Sequence, residues 1–379
     1  MTTETLTPMM ATTHFNLTRL LQTVFQPQPT ERYGVFIDLE SPRDVVNLPF
    51  LSDPTMTTRR IAYEVFYQGL KNLPTGGVEF FAYTPTGGSN LDLPATVVDL
   101  LGRERRLAED VLRKLDIVLY LSTYSATAPI TALAKEIGFR GATMHGCNEI
   151  ILDTGLAKNY DHVSVKAEQF RRAVTGCDNV LIEFTALGHT YRLTLELNRQ
   201  EAQKSHGLCR TPGEIANLPA GEIYWVPTGA HGQFPMKFKD GTLAVMDVAN
   251  CRIHNATLLQ GDPATVQQAL AKFASDPATG ELGELGLGTQ DLPWSGKDIQ
   301  DEKVLGTFHV ATGRSDHLGG TLDPSKFRVR ANATHEDILF SPHKTPEIGV
   351  NGVWMRKGGQ ETLLIQDYEP TDFVKAVAL

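Results

Sequence analysis

The sequence predicts an α/β region joined to a mostly β one: an N-terminal Rossmann-like parallel-sheet domain over residues 1–165 and a C-terminal β-rich α+β domain over residues 166–379. Three observations carry this. The first ~160 residues alternate short apolar runs with longer helical patterns, as in a parallel sheet covered by helices. Beyond Asp178 the chain changes to short strands punctuated by Gly and Pro. A length of 379 residues is also enough for two cores.

In chain order, "YGVFIDL" (33–39), "VEFFAY" (78–83) and "DIVLYLST" (116–123) read as buried strands. Between them, helices are predicted over "MTTRRIAYEVFYQGLKNL" from Met56, stopped by Pro74, and over "VVDLLGRERRLAEDVLRKL" from Val97. In the second, Val98, Leu101, Leu107, Val111 and Leu115 keep near-helical spacing. No GxGxxG turn argues for a dinucleotide. After the amphipathic "VKAEQFRRAV", the segment "NVLIEFTALGHTYRLTLEL" predicts a hairpin turning at Gly188. One helix, "ATVQQALAKFAS" from Ala264, interrupts the strands that follow.

Composition narrows the function classes. The formal net charge is −9 and no Lys/Arg block occurs, which argues against a nucleic-acid partner. Cys147, Cys177, Cys209 and Cys251 are far apart, without a CxxC pair, and fit neither a disulfide framework nor a thiolate zinc site. "MTTETLTPMMATTHF" lacks a signal pattern and no apolar run approaches the roughly 20 residues that span a bilayer, so the expectation is a cytoplasmic protein with no membrane contact.

The residues suited to chemistry all lie in the second half. In "THEDILF" a strand would project His335 and Asp337 on one face and Glu336 on the other, a chelating pair. In "DEKVLGTFHVATGRSDHLGG" a strand through "TFHVA" places His309 with Thr307 and Ala311, opposite Phe308 and Val310. The same parity brings Glu302 to the His309 side if the chain stays extended. Glu222 in "NLPAGEIYWVP" and Glu284 in "GELGLGTQ" sit among apolar residues, where a carboxylate needs a cationic partner, an arginine or a metal. Four carboxylates and two imidazoles suit one or two divalent ions such as zinc, cobalt or manganese. Two such ions would activate a bridging water and polarise a carbonyl, as amide hydrolysis demands.

Those motifs, in that order, resemble the metallo-aminopeptidases aminopeptidase T and aminopeptidase S, leucyl aminopeptidase-like enzymes, most clearly from about residue 205 to 340. The resemblance implies a cytosolic, dimeric exopeptidase with a metal-bearing C-terminal domain and two divalent ions (Zn, Co or Mn). It would bind a small peptide or aminoacyl substrate in an internal cavity. The ligands would fall on Glu222, Glu284, His309, His335 and Asp337, with Glu302 as the acid ahead of the central histidine. Glu284 or Glu302 would be the carboxylate that moves the proton. The chain departs from the family at Asp316, where members carry a tyrosine. Aspartate has no phenolic donor, so Asp316 and His317 are expected instead as substrate contacts.

The sequence is also similar, more distantly, to iron-dependent 2,5-dihydroxypyridine ring-cleaving dioxygenases. Their His-x-Asp pair would align with His335 and Asp337, but their first histidine with Glu284, so His309 could complete a two-His, one-carboxylate triad only by rearrangement. A catalytically silent metal- or ligand-binding homologue is the reading outside the enzymes.

Overall fold

The computed structural model describes residues 14–378, so the segment "MTTETLTPMMATTHF" lies almost wholly outside the described residues. No described helix is long and apolar enough to cross a membrane. The architecture is mixed α/β, with three sheets among the described residues.

The first half opens with β1 (Arg32–Asp38), β2 (Gly77–Tyr83), β3 (Thr96–Asp99), β4 (Glu104–Arg106), β5 (Ile117–Leu121) and β6 (Arg140–Thr143). Strands β6, β5, β1 and β2 pair in parallel, and β3 and β4 extend the sheet antiparallel beyond β2. β5 is buried along its whole length, as a run covered on both faces must be. Apolar clusters lie on both faces of this sheet, one around Val35, Ile37 and Leu119, the other around Phe36, Val118 and Tyr120.

Helix formation from Met56 is as expected, over Thr57–Lys71, with a wider π turn at Ala62–Tyr67. The helix expected from Val97 does not form there. Its first part is the β3–β4 hairpin, because β-branched Thr96, Val97 and Val98 favour extension and Gly102 turns the chain at φ +75°. Asp99 Oδ1 closes that turn by accepting from the N–H groups of Leu101 and Arg103. Helical turns begin only at Leu107.

The chain continues through a helix at Tyr160–Val174 into β7 (Asn179–Ala186) and β8 (His189–Glu196), whose connection has positive φ at Leu187 and Gly188, the expected tight hairpin. β9 (Gln203–Ser205) follows. β10 (Ile215–Asn217) then returns to the first sheet and pairs in parallel with β6, so the sheet order is β10-β6-β5-β1-β2-β3-β4.

β11 (Glu222–Trp225), β12 (Gly229–Lys237), β13 (Leu243–Ala249), β14 (Arg252–Gln260), β15 (Leu282–Gly288), β16 (Phe308–Gly313), β17 (His335–Phe340), β18 (Ile348–Lys357), β19 (Gln360–Gln366) and β20 (Glu369–Pro370) complete the set, with a helix at Pro263–Ser275 after β14. Together with β7, β8 and β9 they form an eight-stranded sheet, β14-β13-β12-β8-β7-β18-β19-β20, and a five-stranded antiparallel sheet, β17-β16-β15-β11-β9. The two pack face to face through one apolar core. Phe184 of β7 meets Phe340 at 4.9 Å between ring centroids, and Phe340 stacks on Phe308 at 5.0 Å.

Candidate metal centre

The five-stranded sheet has one apolar and one polar face, set by the two-residue period of its strands. Ile223, Trp225, Leu285, Leu287, Phe308, Val310, Ile338 and Phe340 point into the core. On the other face, register aligns Glu284, Ala311 and Asp337 in one cross-strand row. Gly286 lies opposite His309, Gly288 opposite Glu222, and Gly313 opposite His335. Small partners leave the imidazoles and carboxylates their room. A Cβ on Gly286 would collide with His309 Cε1, so only glycine lets that ring lie flat across β15.

Three overlapping sets of donor atoms lie within 4.8 Å of one another: Glu222, Glu284 and His309; Glu284, His335 and Asp337; and Glu302, His309 and Asp337. Four of these residues close a ring. His309 Nε2 is 3.5 Å from Glu284 Oε1; Glu284 Oε2 is 2.9 Å from His335 Nε2; His335 Nε2 is 3.2 Å from Asp337 Oδ1, which returns to His309 Nε2 at 3.9 Å. The Nδ1–H of His335 donates to the Arg314 carbonyl at 2.7 Å, which orients the ring and aims Nε2 at the ring of donors.

Glu222 and Glu302 are joined by Lys303, a residue that no motif in the sequence marks. Lys303 is 1 % exposed, with Nζ 2.6 Å from Glu222 Oε1 and 2.5 Å from Glu302 Oε1. Burial alone would strip its proton, but the two carboxylates more than reverse this and hold it charged. Glu222 Oε2 is buried without a hydrogen-bond partner, 3.9 Å from His309 Nε2.

The field of the cluster is strongly anionic. Burial raises Glu284, yet the two imidazoles beside it pull it down to about 2. Burial likewise opposes charge on His309, and Glu284 with Asp337 overcomes it, to about 10. Glu302 goes the other way: burial, reinforced by Asp337 and Glu222, pushes it up to about 7 against the pull of Lys303. A carboxylate set of this kind demands cations, and a divalent ion meets that demand as well as protonated imidazoles do.

The centre opens into a cavity of about 210 Å³ whose far wall belongs to the first sheet. Ser125 and Thr127 follow β5, His145 follows β6, and Asn217 ends β10, so the carboxyl ends of the parallel strands face the donors. Ser89 and Asn90 join them. The main-chain N–H of His335 donates to the Ser89 carbonyl and Arg314 Nη1 to the Asn90 carbonyl at 2.9 Å, fixing the two walls together. Burial drives His145 down to about 4, which keeps it neutral, and its Nδ1 has no partner.

The structure thus brings together all six residues expected as ligands, Glu222, Glu284, Glu302, His309, His335 and Asp337. Glu302 arrives by a different route from the one expected: it ends a short helix at Asp298–Asp301 and does not extend the His309 strand, so strand parity is irrelevant to it. Thr307 also precedes that strand and caps the turn, its hydroxyl donating to the Val304 carbonyl at 2.8 Å. Of the two residues expected at the substrate, His317 lines the cavity and meets the His335 ring edge-on at 5.1 Å. Asp316 does not line it. Its carboxylate is taken by Arg314, at 2.7 and 3.1 Å, so no free charge remains there for an ammonium group. Sequence reasoning misses the wall residues of the first half because Ser, Asn, Thr and a single His carry no spacing signal.

No family model matches the chain, and no curated protein matches it. Among solved structures, the 2,5-dihydroxypyridine dioxygenase of Pseudomonas putida KT2440 is similar, with a TM-score of 0.60 over 94 % of this chain and 97 % of that one, at 14 % identity. The likeness is one of fold.

Proposed function

We propose that this chain is a metal-dependent enzyme with a single-ion centre, and that it cleaves a small hydroxylated aromatic ring with dioxygen. The observation that carries the reading is the closed ring of His309, Glu284, His335 and Asp337, with edges of 2.9 to 3.9 Å. Six-coordinate ions with bonds of about 2.1 Å need adjacent donors about 3 Å apart, so side-chain adjustment alone closes the ring on one ion. His309 reaches the ring from β16, next to Glu284 on β15. Two imidazoles and an aspartate therefore surround one point although position 284 is a glutamate. The whole-chain likeness in fold to a 2,5-dihydroxypyridine dioxygenase supports the same reading.

Iron(II) held there would supply the one-electron chemistry that dioxygen requires, whereas a zinc-type ion would supply only Lewis acidity. The protein's part is orientation and proton handling. His145, neutral and with an unpartnered Nδ1, and the hydroxyls of Ser89 and Thr127 offer hydrogen bonds to ring oxygens. Glu302, at the cavity edge, is placed to move a proton. The Rossmann-like part of the chain acts as the substrate wall and the β-rich part as the metal-bearing one.

A second reading, the dinuclear aminopeptidase, is favoured by the unpartnered Glu222 Oε2 and by Glu284, whose two oxygens face different imidazoles as a bridging carboxylate does. Glu222, Glu284 and His309 would then hold one ion and Glu284, His335 and Asp337 the other, in a cytoplasmic dimer acting on peptides. An oxygen electrode separates the two. Iron(II)-loaded protein given 2,5-dihydroxypyridine and related dihydroxylated rings should consume oxygen as the ring absorbance falls. No uptake across that panel, with chromophore release from aminoacyl nitroanilides by the zinc, cobalt or manganese form, would replace the first reading by the second.

A further inference from the structure

Lys303 is a cation that the fold has fixed inside the centre. The turn that carries it is held to the chain just past β15: Gln290 N–H donates to the Lys303 carbonyl at 2.8 Å, and Leu305 N–H to the Gln290 carbonyl at 2.8 Å. The Val304 carbonyl occupies the space that a Cβ on Gly288 would need, a backbone approach that only glycine permits. The side chain is therefore held inside, 1 % exposed, unlike an ordinary lysine on a loop. Its two anionic partners, Glu222 and Glu302, belong to separate donor sets around His309, and the second oxygen of Glu222 remains buried and unpartnered on the same side.

We propose that Lys303 is a built-in counter-cation, whose ammonium discharges the Glu222 and Glu302 carboxylates and so limits the centre to one metal ion. The inference rests on the single-ion reading above. Four carboxylates in one cluster, three of them buried, require several positive charges. Lys303 provides one of them, on the Glu222 carboxylate whose other oxygen faces His309 and whose set with Glu284 and His309 a second divalent ion would use. A lysine there is tied between two carboxylates, at 2.6 Å from Glu222 Oε1 and 2.5 Å from Glu302 Oε1. Replacing it by an uncharged side chain of similar length leaves the donors and removes the competitor.

The test is the zinc content of protein stripped with chelator, equilibrated with excess Zn²⁺ and freed of unbound metal by gel filtration. Wild type and Lys303→Arg, which keeps the charge, should hold about one ion per chain, and Lys303→Met about two. If Lys303→Met is recovered only as aggregate, Lys303→Met with Glu302→Gln removes one buried cation and one buried anion together, retains Glu222, Glu284 and His309, and should also hold about two. One ion in a folded Lys303→Met protein would overturn the role of Lys303 while leaving the single-ion reading standing. Two ions in wild type would overturn both, and the arginine and methionine forms would then not differ.

Discussion

β15 and β16 carry two surfaces on one backbone. Toward the eight-stranded sheet they present Leu285, Leu287, Phe308 and Val310, all buried; toward the cavity they present Glu284 and His309, also buried. The first face gains free energy from burial and the second costs it, since charged groups are taken out of water. The site is thus held in place by the packing behind it, and the two faces should respond differently to mutation, one chiefly in folding and the other chiefly in metal binding.

The largest effect on folding is expected from Phe308→Ala. That ring stacks on Phe340 and packs near Phe184, and its loss should cost about 3–5 kcal/mol in chemical denaturation. Glu284→Gln should act chiefly on metal binding. Metal affinity, read by calorimetric titration, should fall more than about a hundredfold, since loss of an outer partner alone costs about 10–100-fold. Its denaturation midpoint in chelator should fall, but by less than that of Phe308→Ala, because the imidazoles that lose Glu284 can shed their protons and become neutral. A midpoint that falls as far as that of Phe308→Ala would break the contrast between the faces.

Gly286→Ala sharpens it further, because it adds a methyl group to the polar face with no change of charge. The new Cβ collides with the His309 ring, so metal affinity should drop about 10–100-fold while the fold loses only about 1–3 kcal/mol.

The smallest effect lies away from both faces, at buried Asp276. Burial raises its pKa, but hydrogen bonds from Asn332 Nδ2 and the N–H groups of Arg328 and Val329 bring it below its ordinary 3.8. A depressed carboxylate stabilises the fold fully above the unfolded pKa and loses that contribution as pH falls through the lower folded value. Asp276→Asn should therefore cost about 1 kcal/mol at neutral pH, with the difference from wild type vanishing in acid, as pH-dependent denaturation would record.

The same contrast explains which parts of the site are legible in the amino-acid sequence. Alternation in "TFHVA" and "THEDILF" is imposed by one dry face, so the pairing of His335 with Asp337 and the placement of Glu336 on the opposite face follow from strand periodicity alone. Strand parity also selects Glu302, which arrives instead at the end of a short helix. Lys303 escapes sequence reasoning, because a lysine within "DEK" has the pattern of a solvated turn and only the fold reveals that it is buried. His145, Ser89 and Thr127 are out of reach for another reason: they meet the donors through a packing of two sheets that no local spacing encodes. At Val97 near-helical spacing misleads, since β-branched residues and an Asp99–Gly102 turn decide a four-residue strand.

The central claim is that His309 and His335 serve the same ion, and X-ray absorption at the metal edge of the loaded protein tests it most directly. The predicted result is two imidazoles among the scatterers around each metal atom and no metal–metal distance. One imidazole per ion, with a second metal at about 4 Å, would contradict it and place the chain with the two-metal hydrolases.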